Sequence, residues 1–358
     1  MEEIKVSGNK NMEQINHKPL LSQEEIDESK KTVEKEARLE KISGAIRNLK
    51  SIDDLDKKID GKTLDILIAE LIQETGVREE KPSRQIIFES ILDKKVVEED
   101  ERDMKNGGES VLYLPDSTDT PEKPSGGGDG YFVRKTENGE VGVLFDTLGH
   151  GFSEQYKKAF MKKVFELLES APLEKRAENI RKVDRFFENL FTADNSIASS
   201  FERISIKNID DKKKIVAEFY GDTVFIVFDP EEKKMYFRGT ATFEDSTIVS
   251  ELSDEYGVPF PVGVGIVSEL KEGGKPKLVK PLEMLLSKNS EVILSSDGVV
   301  HPKTEYSDGR NFEQVLKDFI KEKEINKDLR LVEYFRNSLV GGKVGDDITM
   351  IEIGAKLK

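Results

Sequence analysis

Four apolar runs of this chain each meet an aspartate at one end, and that coincidence restricts the fold more than any other feature. Asp129 stands just ahead of YFV, and Asp146 follows VGVLF within GEVGVLFDTLGHG. Asp297 follows EVILSS, and Asp346 with Asp347 precedes ITMIEI. A charge left unpaired at the end of a buried strand is costly. The fold must therefore turn these groups to water or give them a common partner. In an antiparallel sheet the start of one strand lies beside the end of its neighbour. Two of these aspartates begin a strand and two end one. Asp129 and Asp146 are joined by a single hairpin and should reach the same edge. If the other two strands are central, four carboxylates gather at one end of the sheet core.

Four anions at close quarters repel strongly where solvent is scarce. Neither SSDGVV nor GDDITM contains Lys or Arg, although Lys343 and His150 are close by in sequence. The chain has no cysteine, and its only histidines are His17, His150 and His301. An all-oxygen donor set points to Mg²⁺ or Mn²⁺ rather than zinc. A group of this size suits two ions about 3.5–4 Å apart. The plainer alternative is that each aspartate is a turn or cap residue, since SSDG and NG are common turn chemistry. The residues alone leave both readings open.

Composition removes several function classes. Formal net charge is -15 and the sequence pI is near 5.0. Such a chain lacks the basic footprint of a nucleic-acid binder and is repelled by anionic membrane surfaces. Without cysteine there are no disulfides, thiolate metal sites or thiol nucleophiles. No stretch approaches the ~20 apolar residues of a membrane span, and MEEIKVSGNKNMEQ lacks the apolar core of a signal peptide. The expected location is the cytoplasm.

Residues 1–21 read as a disordered tail and residues 22–105 as a helical regulatory region. In the latter, Ser22 and Glu25 have capping-box spacing, and Leu39, Ile42, Ile46 and Leu49 form a short amphipathic seam. Further helices are expected over 64–76 and 82–95. Residues 106–128 read as a linker holding one short strand, VLYL, inside Gly-, Pro- and Ser-rich sequence. From 129 to 358 strands and helices take turns. Asn138–Gly139 marks a hairpin, and helices are expected over 152–170 and 173–191. Three strands are expected over 215–239, turning at Gly221–Asp222 and Asp229–Pro230. VGVGIV and EVILSS add strands, NFEQVLKDFIKEKE and DLRLVEYFRNSL add helices, and the last strand is ITMIEI. The expected class is α+β: an antiparallel β-sandwich flanked by helices, with an N-terminal helical region. These boundaries predict that a chain lacking residues 1–105 keeps a folded, metal-binding core.

The ordered set GGDGYFV, VLFDTLGHG, ILSSDGV and GDDITMIEI resembles the metal-dependent protein phosphatases of type 2C, in the bacterial branch that includes SpoIIE and RsbU. The resemblance spans roughly residues 110–354. It implies α-β-β-α layers and hydrolysis of phosphoserine or phosphothreonine by a water activated between two Mn²⁺ or Mg²⁺ ions. Carried over by position, Asp146 bridges both ions and Asp129 completes one of them with the main-chain carbonyl of Thr147. Asp297 and Asp346 hold the other, while Asp347 is either a ligand or the orienting neighbour of Asp346. His150 is either a general acid toward the leaving oxygen or a residue that stabilises its own turn. The branch also implies a phosphoprotein substrate such as an anti-sigma factor antagonist. Residues 22–105 are then left to dock on the catalytic part, form a homodimer or bind an upstream regulator. The sequence departs from the pattern at GYF after GGD and at RGTATF in the third central strand. Two other classes compete: a catalytically inactive phosphatase-like binding module, and a two-metal phosphodiesterase or nucleotide hydrolase, for which no P-loop speaks.

Overall fold

In a computed structural model the described residues are 22–75, 92, 110–114, 129–137, 139–147, 152–191, 199–220, 223–239, 248–249, 271–272, 275–276, 281–340 and 342–354. Residues 1–21, the expected helix over 82–95 apart from Leu92, the VGVGIV strand and His150 lie outside them.

Two sheets form the centre of the molecule. One has five antiparallel strands in the order β11 (Leu282–Ser287), β5 (Lys212–Tyr220), β4 (Ser199–Ile209), β3 (Gly139–Thr147) and β2 (Gly130–Thr136). The other has six strands in the order β1 (Val111–Leu114), β13 (Ile348–Ile353), β12 (Glu291–Ser295), β6 (Val224–Asp229), β7 (Lys234–Arg238) and β8 (Ile248–Val249). All pairs are antiparallel except β7 with β8. A further pair, β9 (Lys271–Glu272) and β10 (Lys275–Pro276), stands apart from both sheets.

The sequences of the central strands show why they are central. VFIVFD, EVILS and ITMIEI are buried along their whole lengths, as expected for strands covered on both faces. Side chains alternate between those faces. Phe225, Val227, Val292, Leu294, Ile351 and Ile353 meet Leu144, Ile204, Ile206 and Ala217 of the other sheet. Ile226, Phe228, Ile293 and Met350 turn outward onto α5 (Phe312–Ile325) and α6 (Leu331–Leu339). α5 starts at a reciprocal capping box: the Asn311 side chain accepts from the Gln314 backbone N–H, and the Gln314 side chain accepts from that of Asn311, both at 2.9 Å. On the opposite side Val141, Val143, Phe145 and Phe201 pack under α3 (Phe152–Ser170) and α4 (Arg176–Phe191). The layers are thus α-β-β-α, in the class expected. Among the described residues no helix is long and apolar enough to cross a membrane.

Gly142 is a point of close approach between the sheets. A Cβ there would stand 2.3 Å from the Ile353 Cδ1 atom.

Several elements differ from expectation. β5 and β6 follow one another in sequence yet belong to different sheets, so 221–222 joins the layers rather than forming a hairpin. β4 and β11 were not foreseen. VLYL is integral to the larger sheet, with Val111 opposite Ile351 and Leu114 opposite Ile348. The 2–3 hairpin register pairs Thr136 with Gly139.

α1 (Gln23–Arg47), a short 3-10 turn (Ile52–Asp56) and α2 (Leu64–Thr75) continue the outer helical layer. Ile42, Ile46 and Leu49 of the amphipathic seam are buried, and Leu39 packs against them. They share one apolar cluster with Ile68 and Leu71, and with Phe160, Val183 and Phe186 of α3 and α4. Lys182–Asp53 at 2.5 Å and Arg185–Asp56 at 2.7 Å reinforce the junction. These helices dock on the rest of the chain, and the cluster joins them to the layer over β3. Phe165 lies at the middle of that layer, with ring centroids 5.1 Å from Phe145 and 4.7 Å from Phe201. Phe165→Ala is expected to cost about 3–5 kcal/mol in urea unfolding. Removing residues 1–105 should uncover Val183 and Phe186, giving a core that binds a hydrophobic dye and melts below the full chain. An equal melting temperature would show that the shared cluster contributes little.

Candidate metal centre

The register that ends β2 against β3 at Gly130↔Phe145 puts Asp129 and Asp146 opposite one another one step further on. Asp146 points to the same face as Leu144, and Asp129 to the same face as Tyr131. That face is the layer between the sheets, where Leu144 is buried and Tyr131 packs against the same cluster. The hairpin therefore delivers both carboxylates to one end of the sandwich, on its inner side.

The second sheet brings its aspartates to the same end. Ser296, just past β12, ties itself to the start of β13. Its N–H donates to the Thr349 carbonyl at 3.0 Å, and its hydroxyl accepts from the Thr349 N–H at 3.0 Å and donates to the Asp347 carbonyl at 3.2 Å. Asp297 then opens a 3-10 turn, Asp297–Val300. The turn rests directly on the Asp346–Asp347 backbone. A Cβ on Gly298 would come within 2.0 Å of the Asp347 carbonyl oxygen and 3.1 Å of that of Asp346. Glycine is what allows Asp297 to sit against this pair. The Asp347 N–H in turn donates to Asp346 Oδ1 at 2.8 Å, which orients that carboxylate.

The two halves meet at Asp129. It is 1% exposed. Burial, then the charge of Asp347, pushes its carboxyl from the usual 3.8 up to about 7, while Ser296, Asp146 and Thr349 pull the other way. Its Oδ2 is buried with no hydrogen-bond partner among the described residues. Asp146, Asp297 and Asp346 are half-buried, and Asp347 is 4% exposed. Asp129, Asp146 and Asp347 thus form one electrostatic group, with Asp297 and Asp346 adjoining through Gly298. The carboxylates converge without closing a cage. Among the described residues no three His, Asp or Glu side chains are already placed to hold a metal ion. The donor chemistry nonetheless suits a hard divalent cation: the set is all oxygen, and a buried carboxylate oxygen lacks a donor.

Thr147 ends β3, with its backbone opposite Ser199. Of the residues outside the expected set, Ser296, Thr349 and Gly298 organise this end. The run of small residues in SSDG hinted at Ser296 and Gly298, while no sequence signal marked Thr349. Two strand arginines, Arg134 and Arg238, are engaged elsewhere. Arg134 donates to the Glu169 carbonyl at 3.1 Å and to Ser170 Oγ at 3.0 Å. Arg238 is buried, donates to the Thr223 carbonyl at 3.1 Å and lies 4.4 Å from the Phe219 ring centroid. A separate buried acid, Glu202, is pushed well above the usual range by burial, against the pull of the Arg238 charge and the Thr223 hydroxyl.

No family model matches the chain, and no curated protein matches it. Among solved structures it is similar to the SiaA-PP2C domain of Pseudomonas aeruginosa, at 15% identity over 75% of this chain and 93% of that one, with TM-score 0.46. It is similar to the PP2C phosphatase domain, with a fragment of the regulatory domain, of the cell fate determinant SpoIIE from Bacillus subtilis. There the identity is 13% over 68% of this chain and 62% of that one, with TM-score 0.43. The RsbU and RsbW domains of Rv1364c from Mycobacterium tuberculosis give 15%, 68%, 58% and 0.44 on the same measures. The chain thus spans about three fifths of the length of the last two.

The Asp129 shift has a sign that can be measured. Its folded pKa lies above the unfolded one, so its contribution to stability is present below pH 3.8 and is lost as pH rises through about 7. A gap of this size is worth on the order of 4 kcal/mol. With a chelator present, Asp129→Asn should be more stable than wild type at pH 8 and equal to it at pH 3.5, read from urea midpoints. A variant that is weaker at pH 8 would mean that the charge is well solvated.

Proposed function

We propose that this chain is a metal-dependent serine/threonine protein phosphatase of type 2C, akin to the SpoIIE/RsbU branch, acting on phosphoserine or phosphothreonine in a bacterial signalling protein. Asp129 carries the reading. It is a carboxylate buried beside Asp146 and Asp347, with one oxygen lacking a donor among the described residues. Such a group is expensive to keep unless a cation offsets it.

In this reading Asp129, Asp146 and the Thr147 carbonyl would hold one ion and Asp297 and Asp346 a second, with Asp146 contributing to both. Two bound Mn²⁺ or Mg²⁺ ions would supply a water acidic enough to attack phosphorus and positive charge to offset the phosphoryl oxygens. The chain's own residues do the placing. The β2–β3 register fixes Asp146 opposite Asp129, Gly298 seats Asp297 on the Asp346–Asp347 backbone, and the Asp347 N–H sets the orientation of Asp346. His150 is the residue placed in sequence to return a proton to the leaving serine or threonine oxygen. With no cysteine in the chain, a thiol phosphoenzyme is excluded. An anti-sigma factor antagonist or similar phosphoprotein is the substrate class, and the docked N-terminal helices are where an upstream regulator or a second copy would act.

Hydrolysis of p-nitrophenyl phosphate with added Mn²⁺, abolished by chelation, is the expected behaviour. Asp146→Asn should lower turnover by roughly a hundredfold or more, the scale of losing one preorganised electrostatic group. Calorimetry of the same variant should show lost or weakened Mn²⁺ uptake. A folded wild type that takes up no Mn²⁺ and is silent in every metal would instead be a phosphatase-like binding module.

A further inference from the structure

Asp297 and Asp346 lie in a gap between two places where the chain pairs with itself. The β12–β13 ladder runs to Ser295↔Met350 and closes with the Ser296 N–H on the Thr349 carbonyl at 3.0 Å. Beyond the aspartates the same two segments pair again, where Glu305 and Lys343 exchange backbone hydrogen bonds at 2.7 and 3.0 Å. Both aspartates fall between these closures, on backbone that is no longer part of the ladder. Carboxylates in such a place keep a fixed separation only if neighbouring groups hold it.

Two hydroxyls cross the gap. Ser296, the residue before Asp297, donates to the carbonyl of Asp347, the residue after Asp346, at 3.2 Å. Thr304 makes the matching link on the other side. Its hydroxyl donates to the carbonyl of Gly298, the residue after Asp297, at 2.8 Å. The same hydroxyl accepts from the N–H of Gly345, the residue before Asp346, at 3.2 Å. Each aspartate is thus held through both of its chain neighbours. Thr304 reaches this position by successive turns, with the His301 N–H returning to the Gly298 carbonyl at 3.3 Å and the Thr304 N–H to the His301 carbonyl at 2.9 Å. Its segment is pressed onto the Asp346 loop: a Cβ on Gly345 would stand 2.6 Å from the Lys303 Cβ and 2.7 Å from His301 Nδ1.

We propose that Thr304 is a positioning residue for the second metal ion, fixing the separation of Asp297 and Asp346 through the residues that flank them. This role rests on the metal-centre reading above and extends it to a residue outside the carboxylate set. A ligand pair ordered in advance has less freedom to lose when the ion arrives. Loss of a group that orients metal ligands lowers affinity by about 10–100-fold.

The test is Mn²⁺ calorimetry on the full-length chain, with melting temperatures in a chelator recording the metal-free fold. Wild type should take up two ions. Thr304→Val and Thr304→Ala, which lack the hydroxyl, should each weaken one ion by about tenfold and leave the other unchanged. Thr304→Ser, which keeps the hydroxyl, should match wild type. Asp297→Asn removes a ligand of the second ion, so adding Thr304→Val to it should have no further effect on the ion that remains. A merely structural threonine would lower the melting temperature in chelator and leave Mn²⁺ affinity where it was. Wild-type affinity in the variants without the hydroxyl overturns the proposal. So does a Thr304→Ser variant weaker than wild type, a further loss in the Asp297→Asn background, or a wild type that binds fewer than two ions. A chain that follows the expected pattern yet hydrolyses no p-nitrophenyl phosphate keeps the positioning role and loses only the phosphatase reading.

Discussion

Two sheets pressed together through an apolar layer leave charged side chains few places to go. Leu144, Ile204, Leu294 and Ile351 fill the space between the sheets, and Gly142 brings them close enough that no larger side chain fits there without displacing Ile353. Carboxylates on the inner faces are thereby confined to strand ends. Because the strands are antiparallel, starts and ends from both sheets fall at the same rim. The gathering of Asp129, Asp146, Asp297, Asp346 and Asp347 follows from the packing of the layer beneath them. Their mutual repulsion is contained by backbone stitching, with Ser296 bound to Thr349 and Asp347 on one side and the β2–β3 register on the other.

Much of this organisation was legible in the order of residues. Strands with unbroken apolar runs, VFIVFD and ITMIEI, announced their burial on both faces, and helices over 152–170, 312–325 and 331–339 showed regular apolar spacing. The single hairpin between Asp129 and Asp146 was enough to bring that pair together. What escaped was long-range. The β5–β6 junction has good turn residues, but turn chemistry does not say whether the next strand pairs back or crosses to the other layer. β4 was missed because SSFERISIKNI mixes Glu, Arg and Lys into its alternation. Two of those charges are buried for reasons visible only in three dimensions. Glu202 lies near Arg238, and Arg203 reaches Glu169 of α3 at 2.8 Å. Strand β11 failed for a related cause, since an edge strand with exposed Glu283 and Leu285 carries no clean pattern. Within the site, the proximity of Asp347 to Asp129 could not be read from spacing.

The outer helical layer is held differently from the inner one. Over β4 and β5, Glu169 receives Arg176 at 2.7 Å and Arg203 at 2.8 Å, while Glu218 receives Arg176 at 2.9 Å. Fixed charges in a partly dry setting define angle and register where apolar contacts alone would permit sliding. Beyond this network the layer becomes apolar again as the N-terminal helices join it. Any force applied to those helices reaches α3 and α4 through Ile68, Leu71 and Phe186 before it reaches a strand.

β13 lies in the interior of the larger sheet, flanked by β1 on one side and β12 on the other, although it comes last among the described strands. During synthesis the earlier strands therefore leave the ribosome with a gap in their midst. Among the described strands β1 pairs with β13 alone, and residues 348–353 emerge more than 230 positions later. The acidic rim is likewise incomplete until then, because Asp346 and Asp347 travel with that same strand. Until residues 346–353 have emerged, the larger sheet lacks one of its interior strands and the acidic rim lacks two of its carboxylates.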